Sequence, residues 1–450
     1  MMRATVFPRL PACLAALFLL GADSAAPPTD LLTLYLKATE FDPVYQSAVS
    51  ERQLADESLR ESRAAVLPSL SANVGTSYTE QNIKSSDNFL FSVGKSNYFS
   101  QSYSISLTQA LFRSESFRRL PQARTEVRRA EALLEAAEQD LILRLAEAHF
   151  NFLAARDAAD FTTAERTAIW RQLQEAEQKL GSGLVKLPDV EDARARFAVA
   201  EADEIAARDT VEEGRQAIAE MTLQAPSGLM ILSDSFPLVQ PDTPDVERWV
   251  ESAQFQNPTL RALQAGVEIA QGEVRRQRAA YLPTLDLVAS YNDNNTGGSI
   301  YAGGGGNEIA SGDVALRLAI PILDGGRVSA LSTGAALRVS MAEQELERGK
   351  RRVERLVRSS FLGVVNGITR VQALGKSVFS HQAALVAKEE GWRSGLNTGL
   401  AVLDARKEFF QAKRDHAIAR YTYIMDSLRL KQAAGILNAH DLEQINAYLH

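Results

Sequence analysis

The chain has 450 residues, 45% hydrophobic and 23% charged, with 27 Gly, 15 Pro and one Cys, too apolar for a disordered chain and without the glycine period of collagen. Its 49 basic and 56 acidic groups give a net charge of −7 with the signs interspersed, so no global basic field favours nucleic acid.

At the N-terminus, Arg3 and Arg9 precede an apolar run at 10–20 and a cluster of small residues at 21–26. That order reads as a secretory signal peptide over residues 1–24. Cys13 lies within it, so an exported mature chain is held by its core or its assembly rather than by disulfides. No later stretch reaches about 18 consecutive apolar residues, which excludes a transmembrane helix.

Asp42-Pro43 then supplies an N-cap and N1 proline for a helix that ends near Pro68. Beyond it the period changes to two. Leu70, Ala72, Val74, Thr76 and Tyr78 form one alternating set, and Phe99, Gln101, Tyr103, Ile105 and Leu107 form another, interleaved with serines. Residues 122–181 contain no proline, and apolar positions from Val127 to Ala155 recur at a mean of 3.5, predicting one coiled-coil helix about 90 Å long. Ser182, Gly183 and Leu184 interrupt the pattern, which resumes at Asp189 and Val190 as a helix–turn–helix tip.

The same series then repeats. Asn257-Pro258 and Pro283 stand 215 residues after Asp42-Pro43 and Pro68, and residues 394–409 match 182–197 at eight of sixteen positions at an offset of 212. Strands follow around Leu285 to Tyr291 and Val314 to Ile320, and nothing after Pro321 is proline. The expected division is 25–225 for the first repeat, 226–250 for a connector, 251–434 for the second repeat and 435–450 for a terminal segment. Alternation alone suits a two-layer sheet as well as a membrane barrel; export without a transmembrane helix favours the barrel. Four strands per chain cannot close one. Two copies give eight strands and no lumen, whereas three give twelve and a water-filled pore.

Catalytic and ligand motifs are missing. The five histidines are never three or four apart, and Gly94-Lys95-Ser96 and Gly375-Lys376-Ser377 lack the earlier glycine of a phosphate loop. No Gly-x-Ser-x-Gly occurs, and Gly303 to Gly306 reads as a surface loop. No cofactor, metal or enzyme activity is expected, and the acidic residues of the long helices read as a solvated face.

The paired Asp/Asn-Pro starts, the Leu-Pro-x-Leu strand starts, the run Ala319-Ile320-Pro321-Ile322-Leu323-Asp324-Gly325-Gly326 and both glycine tips resemble the TolC family of outer-membrane export channels. The resemblance implies an α+β membrane protein: a trimeric 12-stranded β-barrel, a coiled-coil α-helical barrel across the periplasm and a small mixed equatorial domain. It also implies a passive conduit for small molecules or secreted proteins, in contact with outer-membrane lipid. A periplasmic adaptor and a proton-driven or ABC-type inner-membrane pump would engage the tips at Gly183, Leu184, Gly395 and Leu396. Carried over by alignment, the family's closing tyrosine becomes Trp392, its aspartate partner Asp189, the threonine beside that partner Pro188, the linking arginine Asn397, and the two ring aspartates Ala401 and Asp404. Only Asp189 and Asp404 keep their chemistry, so Trp392 packing is the expected substitute at the closed end. The alternatives are a coiled-coil spacer without a lumen and an outer-membrane enzyme.

Overall fold

Each half opens on a proline-led helix held by its cap. In the computed structural model, Asp42 accepts the Tyr45 N–H at 2.8 Å and Asn257 the Leu260 N–H at 3.2 Å, fixing the starts of α2 (Pro43–Ala64) and α6 (Pro258–Arg278). Their distant partners differ. Asp42 takes a bidentate pair from Arg144 at 2.9 and 3.0 Å, whereas the Asn257 amide donates to the Ala433 carbonyl at 3.0 Å. The structure describes residues 29–450 apart from 86, 88–92, 234 and 299–304. The expected signal peptide, Gly303 and Gly304 lie outside that set.

The remaining elements are α1 (Leu31–Phe41), β1 (Ser69–Ile83), β2 (Gly94–Phe112), α3 (Ser114–Gly181), α4 (Leu187–Thr222), α5 (Val246–Gln256), β3 (Thr284–Thr296), β4 (Asn307–Ala319), α7 (Arg327–Arg393), α8 (Gly399–Ala434) and α9 (Ala439–Asn446). With 68 and 67 residues, α3 and α7 are each about 100 Å long. Nearest the sheet, α2 and α6 run beside them; towards the tips, α4 and α8 take over. One expectation fails here: α3 starts eight residues before Gln122 and carries Pro121 inside it. A proline inside a helix costs about 3 kcal/mol in isolation. Packing outweighs that cost, because Gln122 and Ala123 are buried, with Gln122 beside Gly272 of α6.

The four strands form one antiparallel sheet in the order β1-β2-β3-β4. They have 15, 19, 13 and 13 residues rather than about ten, because ladder pairing continues into polar segments that carry no alternation signal. Register sorts the side chains by face. Leu70, Leu107, Ala289 and Val314 form one apolar row; one residue along, Ser71, Ser106, Ser290 and Asp313 form a polar row on the other face. The polar row is bonded across strands, Ser71 to Ser106 at 2.8 Å and Ser290 to Asp313 at 2.6 Å. The apolar face stands exposed, Val74 by 75% and Val314 by 76%. Among the described residues, one edge each of β1 and β4 has no ladder partner.

The main core lies midway along the rods. Leu31, Leu145, Phe150, Ile218, Ile424 and Leu442 bring together α1, α3, α4, α8 and α9. Beside it, Thr29 pairs with Leu229 and Leu232 with Leu449, tying the start of the described chain, the connector and the C-terminus into a small mixed equatorial layer. His149 is fully buried there, and burial pushes its ring down to about 4, leaving it neutral at pH 7. Buried Glu204 on α4 departs from the solvated face expected for the acidic residues of the long helices.

The two halves end differently. Helix α4 is followed by Leu223 at φ +58° and α8 by Gly435 at φ +80°. Leu223 is 70% exposed, whereas a Cβ at Gly435 would lie 2.5 Å from the Gln256 carbonyl carbon. Leu223→Gly is expected to stabilise the protein by about 1 kcal/mol through relief of left-handed strain. Gly435→Ala should lower the thermal midpoint at a fixed scan rate by more than Leu223→Gly raises it, since backbone must move as well.

Candidate functional site: the helical tips

Both tips end in the same hydrogen-bonded turn. Gly183 (φ +72°) and Gly395 (φ +77°) donate to the Leu180 and Trp392 carbonyls at 3.0 Å each. The following residues, Leu184 and Leu396, donate to Lys179 and Gly391 at 2.9 and 2.7 Å. This is a Schellman closure, and it requires a residue at ease with positive φ. It leaves Leu184 and Leu396 projecting, 75% and 84% exposed.

The restarts of the helices are solved in opposite ways. At α4 the N-cap is Lys186, whose side chain accepts nothing; instead Asp189 at N3 accepts the Lys186 N–H at 3.0 Å. At α8 the N-cap is Thr398, whose hydroxyl accepts the Ala401 N–H at 3.2 Å. Asp189 and Ala401 therefore hold equivalent positions, with a carboxylate retained where the N-cap cannot act. Pro188 sits in the first turn of α4, where a missing N–H is harmless. Both helices begin two residues earlier than the restarts read from sequence.

Asn397 and Trp392 serve the second tip. The Asn397 N–H donates to the Gly391 carbonyl at 3.0 Å, and its side chain folds over Gly391 so closely that any Cβ there would collide with it. Trp392 is 48% exposed, with its indole against Gly399. Among the described residues its N–H makes no hydrogen bond.

Asp404 is exposed and does not share a cluster with Asp189, which is on the other helix pair. It opens onto a cavity of about 360 Å³ between α3, α4 and α8, lined also by Phe161, Glu165, Arg196, Lys407 and Phe410. Lys407 reaches Glu165 at 3.1 Å, a polar link from α8 to α3. Tyr421 to Asp157 at 3.0 Å and Arg429 to Glu147 at 3.4 Å are further links. Burial raises the Asp157 carboxyl above its usual range, against the lowering bond from Tyr421.

Sequence reasoning missed the α3–α4 lock. Glu204, 5% exposed, accepts from the Thr163 hydroxyl at 2.9 Å and pairs with Arg166 and Arg208, each at 2.8 Å. Its signal is an acid at a core position of the helix, visible only once the neighbouring helix is in register. Among the described residues, no group of three His, Cys, Asp or Glu gathers to hold a metal.

Comparison with known proteins bears on this arrangement directly. The family model described as "Outer membrane efflux protein" matches residues 34–222 and 249–436. The outer membrane protein TolC of Vibrio cholerae is 31% identical over 420 residues, covering 93% of this chain and 94% of the relative. The proteases secretion protein PrtF of Dickeya chrysanthemi is 28% identical over 422 residues, covering 93% and 90%. In fold, the Campylobacter jejuni CmeC outer membrane channel aligns with a TM-score of 0.75 at 15% identity, covering 98% of both chains.

The opposed caps give a local prediction. Thr398→Ala should speed amide exchange at Ala401 about fivefold and Asp189→Ala that at Lys186 by a similar factor, each for about 1 kcal/mol of lost capping. Neither substitution should alter the other tip. Hydrogen exchange with residue resolution measures both.

Proposed function

The chain belongs to the outer membrane efflux protein family, and from that premise we propose how three copies build a passive duct that an adaptor and an inner-membrane pump open. An outer-membrane channel for efflux and for secretion of proteins is the activity that the family and its relatives carry. The observation that carries the reading is a sheet with an exposed apolar face, a polar opposite face and two open edges, running directly into helices about 100 Å long. In hydrocarbon an open edge leaves backbone groups unbonded, so β4 must pair with β1 of a second copy. Three copies close twelve strands around the serine-rich face, and the rods of each chain extend the duct through the periplasm.

The repeat specifies the closing register. β1 maps onto β3 at an offset of 215 and β2 onto β4 at 211, so the β2–β3 pairs Tyr103↔Asp293 and Ile105↔Tyr291 become Val314↔Tyr78 and Leu316↔Thr76 between copies. The exposed face of β4 continues the exposed face of β1, with Val314 on Tyr78 and Leu318 on Val74. We place the adaptor at the projecting Leu184 and Leu396, where a partner's apolar side chains would cover them, with Gly183 and Gly395 shaping the turns. Three-fold symmetry gathers three copies of Asp404 at the entrance, a ring of up to −3, with Ala401 as the uncharged neighbour; Trp392 packs beside it, and Asn397 stays within its own tip.

Two measurements test these assignments. With the only cysteine in the leader, Tyr78→Cys with Val314→Cys should give covalent trimers on oxidation or with a short bifunctional thiol reagent, since paired Cβ atoms lie about 5 Å apart. Tyr78→Cys with Leu318→Cys, four residues out of register, should give none. In planar bilayers the protein should show channel steps, which a spacer without a lumen would not. Block by a trivalent cation from the tip side should vanish in Asp404→Asn and tighten in Ala401→Asp, and both effects should fade as salt shortens the ~10 Å screening length found at 0.1 M. Unchanged block in both variants would remove these positions from the constriction.

A further inference from the structure

The apolar band of the sheet is displaced towards the helices. On the exposed face, the ends far from the helices carry Glu80, Asn82, Asp293, Asn295 and Glu308, while the ends joining the helices carry Leu70, Leu285 and Leu318. From Leu70 to Tyr78 is eight residues, about 27 Å along the strand and, at a 40° tilt, about 21 Å of height. A band of about 25 Å is needed. The shortfall is met at the junction, where Ile322 and Leu323 are 94% and 92% exposed. The headgroup layer, about 5–8 Å deep, then overlaps the start of α3 and the end of α6.

A cavity of about 370 Å³ lies between those two helix ends within one chain, lined by Phe117, Arg118, Gln122, Thr125, Glu268 and Arg275 among others. Arg118 and Arg275 are exposed and make no ion pair among the described residues, while Glu268 is neutralised by Arg128 at 2.6 Å. Gln122 is 9% exposed, and its Oε1 has no hydrogen-bond partner. A buried acceptor of this kind calls for a donor. Phe117, 46% exposed on the same cavity, suits an acyl boundary better than an aqueous lumen.

We propose that this cavity is an outward-facing lipid site that takes the phosphoglycerol headgroup of an anionic phospholipid in the leaflet nearest the helices. Arg118 and Arg275 hold the phosphodiester, a glycerol hydroxyl donates to Gln122 Oε1, and Phe117 lies along the acyl chains. Arg118 is about 6 Å below the strand end, and arginine stems reach back to the interface. Three such sites per trimer form a basic collar continuous with the lipid face of the barrel. The site rests on the outer-membrane reading above.

The test uses the full mature trimer in lipid discs, with retained lipid counted by native mass spectrometry. Phosphatidylglycerol should be kept in preference to phosphatidylcholine and phosphatidylethanolamine. Arg118→Gln and Arg275→Gln should each lower that preference about fivefold, and the pair about 25-fold; if the pair fails to assemble, the single variants decide. Arg124→Gln, away from the cavity, should change nothing. Gln122→Leu should abolish the preference for phosphatidylglycerol over phosphatidylmethanol, which has the same charge and no hydroxyl. Equal retention of all headgroups, or a preference unmoved by both arginine substitutions, overturns the proposal. Displacement of the lipid by millimolar soluble glycerol phosphate also overturns it in favour of a solute site. Channel steps from the same preparations should be unchanged, so a failure here is separable from a failure of the duct.

Discussion

A four-stranded sheet that must live in hydrocarbon cannot end in open edges, and this constraint governs the remainder of the molecule. Each unbonded N–H or C=O in lipid costs several kcal/mol, and the outer edges of β1 and β4 present a full row of them. Closure by further copies turns that cost into a ladder and sets the strand number, hence the bore. Every strand has a helix at its inner end, so the helices inherit the strand order: α2, α3, α6 and α7 follow β1, β2, β3 and β4. The geometry of the lipid-embedded part thereby dictates the packing of the part outside it.

Duplication supplies the matching halves, and their differences show which chemistry each position requires. Asp42 and Asn257 cap equivalent helices, yet the aspartate meets Arg144 and the asparagine meets the Ala433 carbonyl. A carboxylate would repel that carbonyl, while an amide can donate to it. Leu223 and Gly435 occupy the same left-handed position, and only Gly435 lies against another backbone. Asp189 and Thr398 each cap a tip from a different position. In each pair the local backbone requirement is shared, and the neighbouring element selects the side chain.

Function is concentrated where these constraints relax. The sheet and equatorial core are fully committed to closure and packing, whereas the tips project leucines into solvent and the rods are joined by half-exposed polar links. Lys407–Glu165, Tyr421–Asp157 and Arg429–Glu147 add polar contacts to the apolar ones, such as Phe161 with Phe410, that join the second repeat to the first. Polar contacts of this kind exchange partners at low cost, which suits the proposed opening of the entrance.

Much of this was legible in the residues alone. Strand phase, the two-copy series, the proline-led helices and the glycine tips all follow from periodicity and backbone conformation, properties that a residue carries wherever it is placed. What tertiary structure decided was everything set by a distant neighbour. Pro121 is helical because Gln122 and Ala123 beside it are buried, and the strands outrun their alternation because a ladder needs only backbone. Asn397 folds over Gly391 within its own tip, and Asp404 opens onto a cavity formed by three helices. Glu204 is buried because two arginines and a threonine converge on it. Local pattern encodes which way a side chain points along its own element; which partner it meets depends on how elements hundreds of residues apart are brought together by packing.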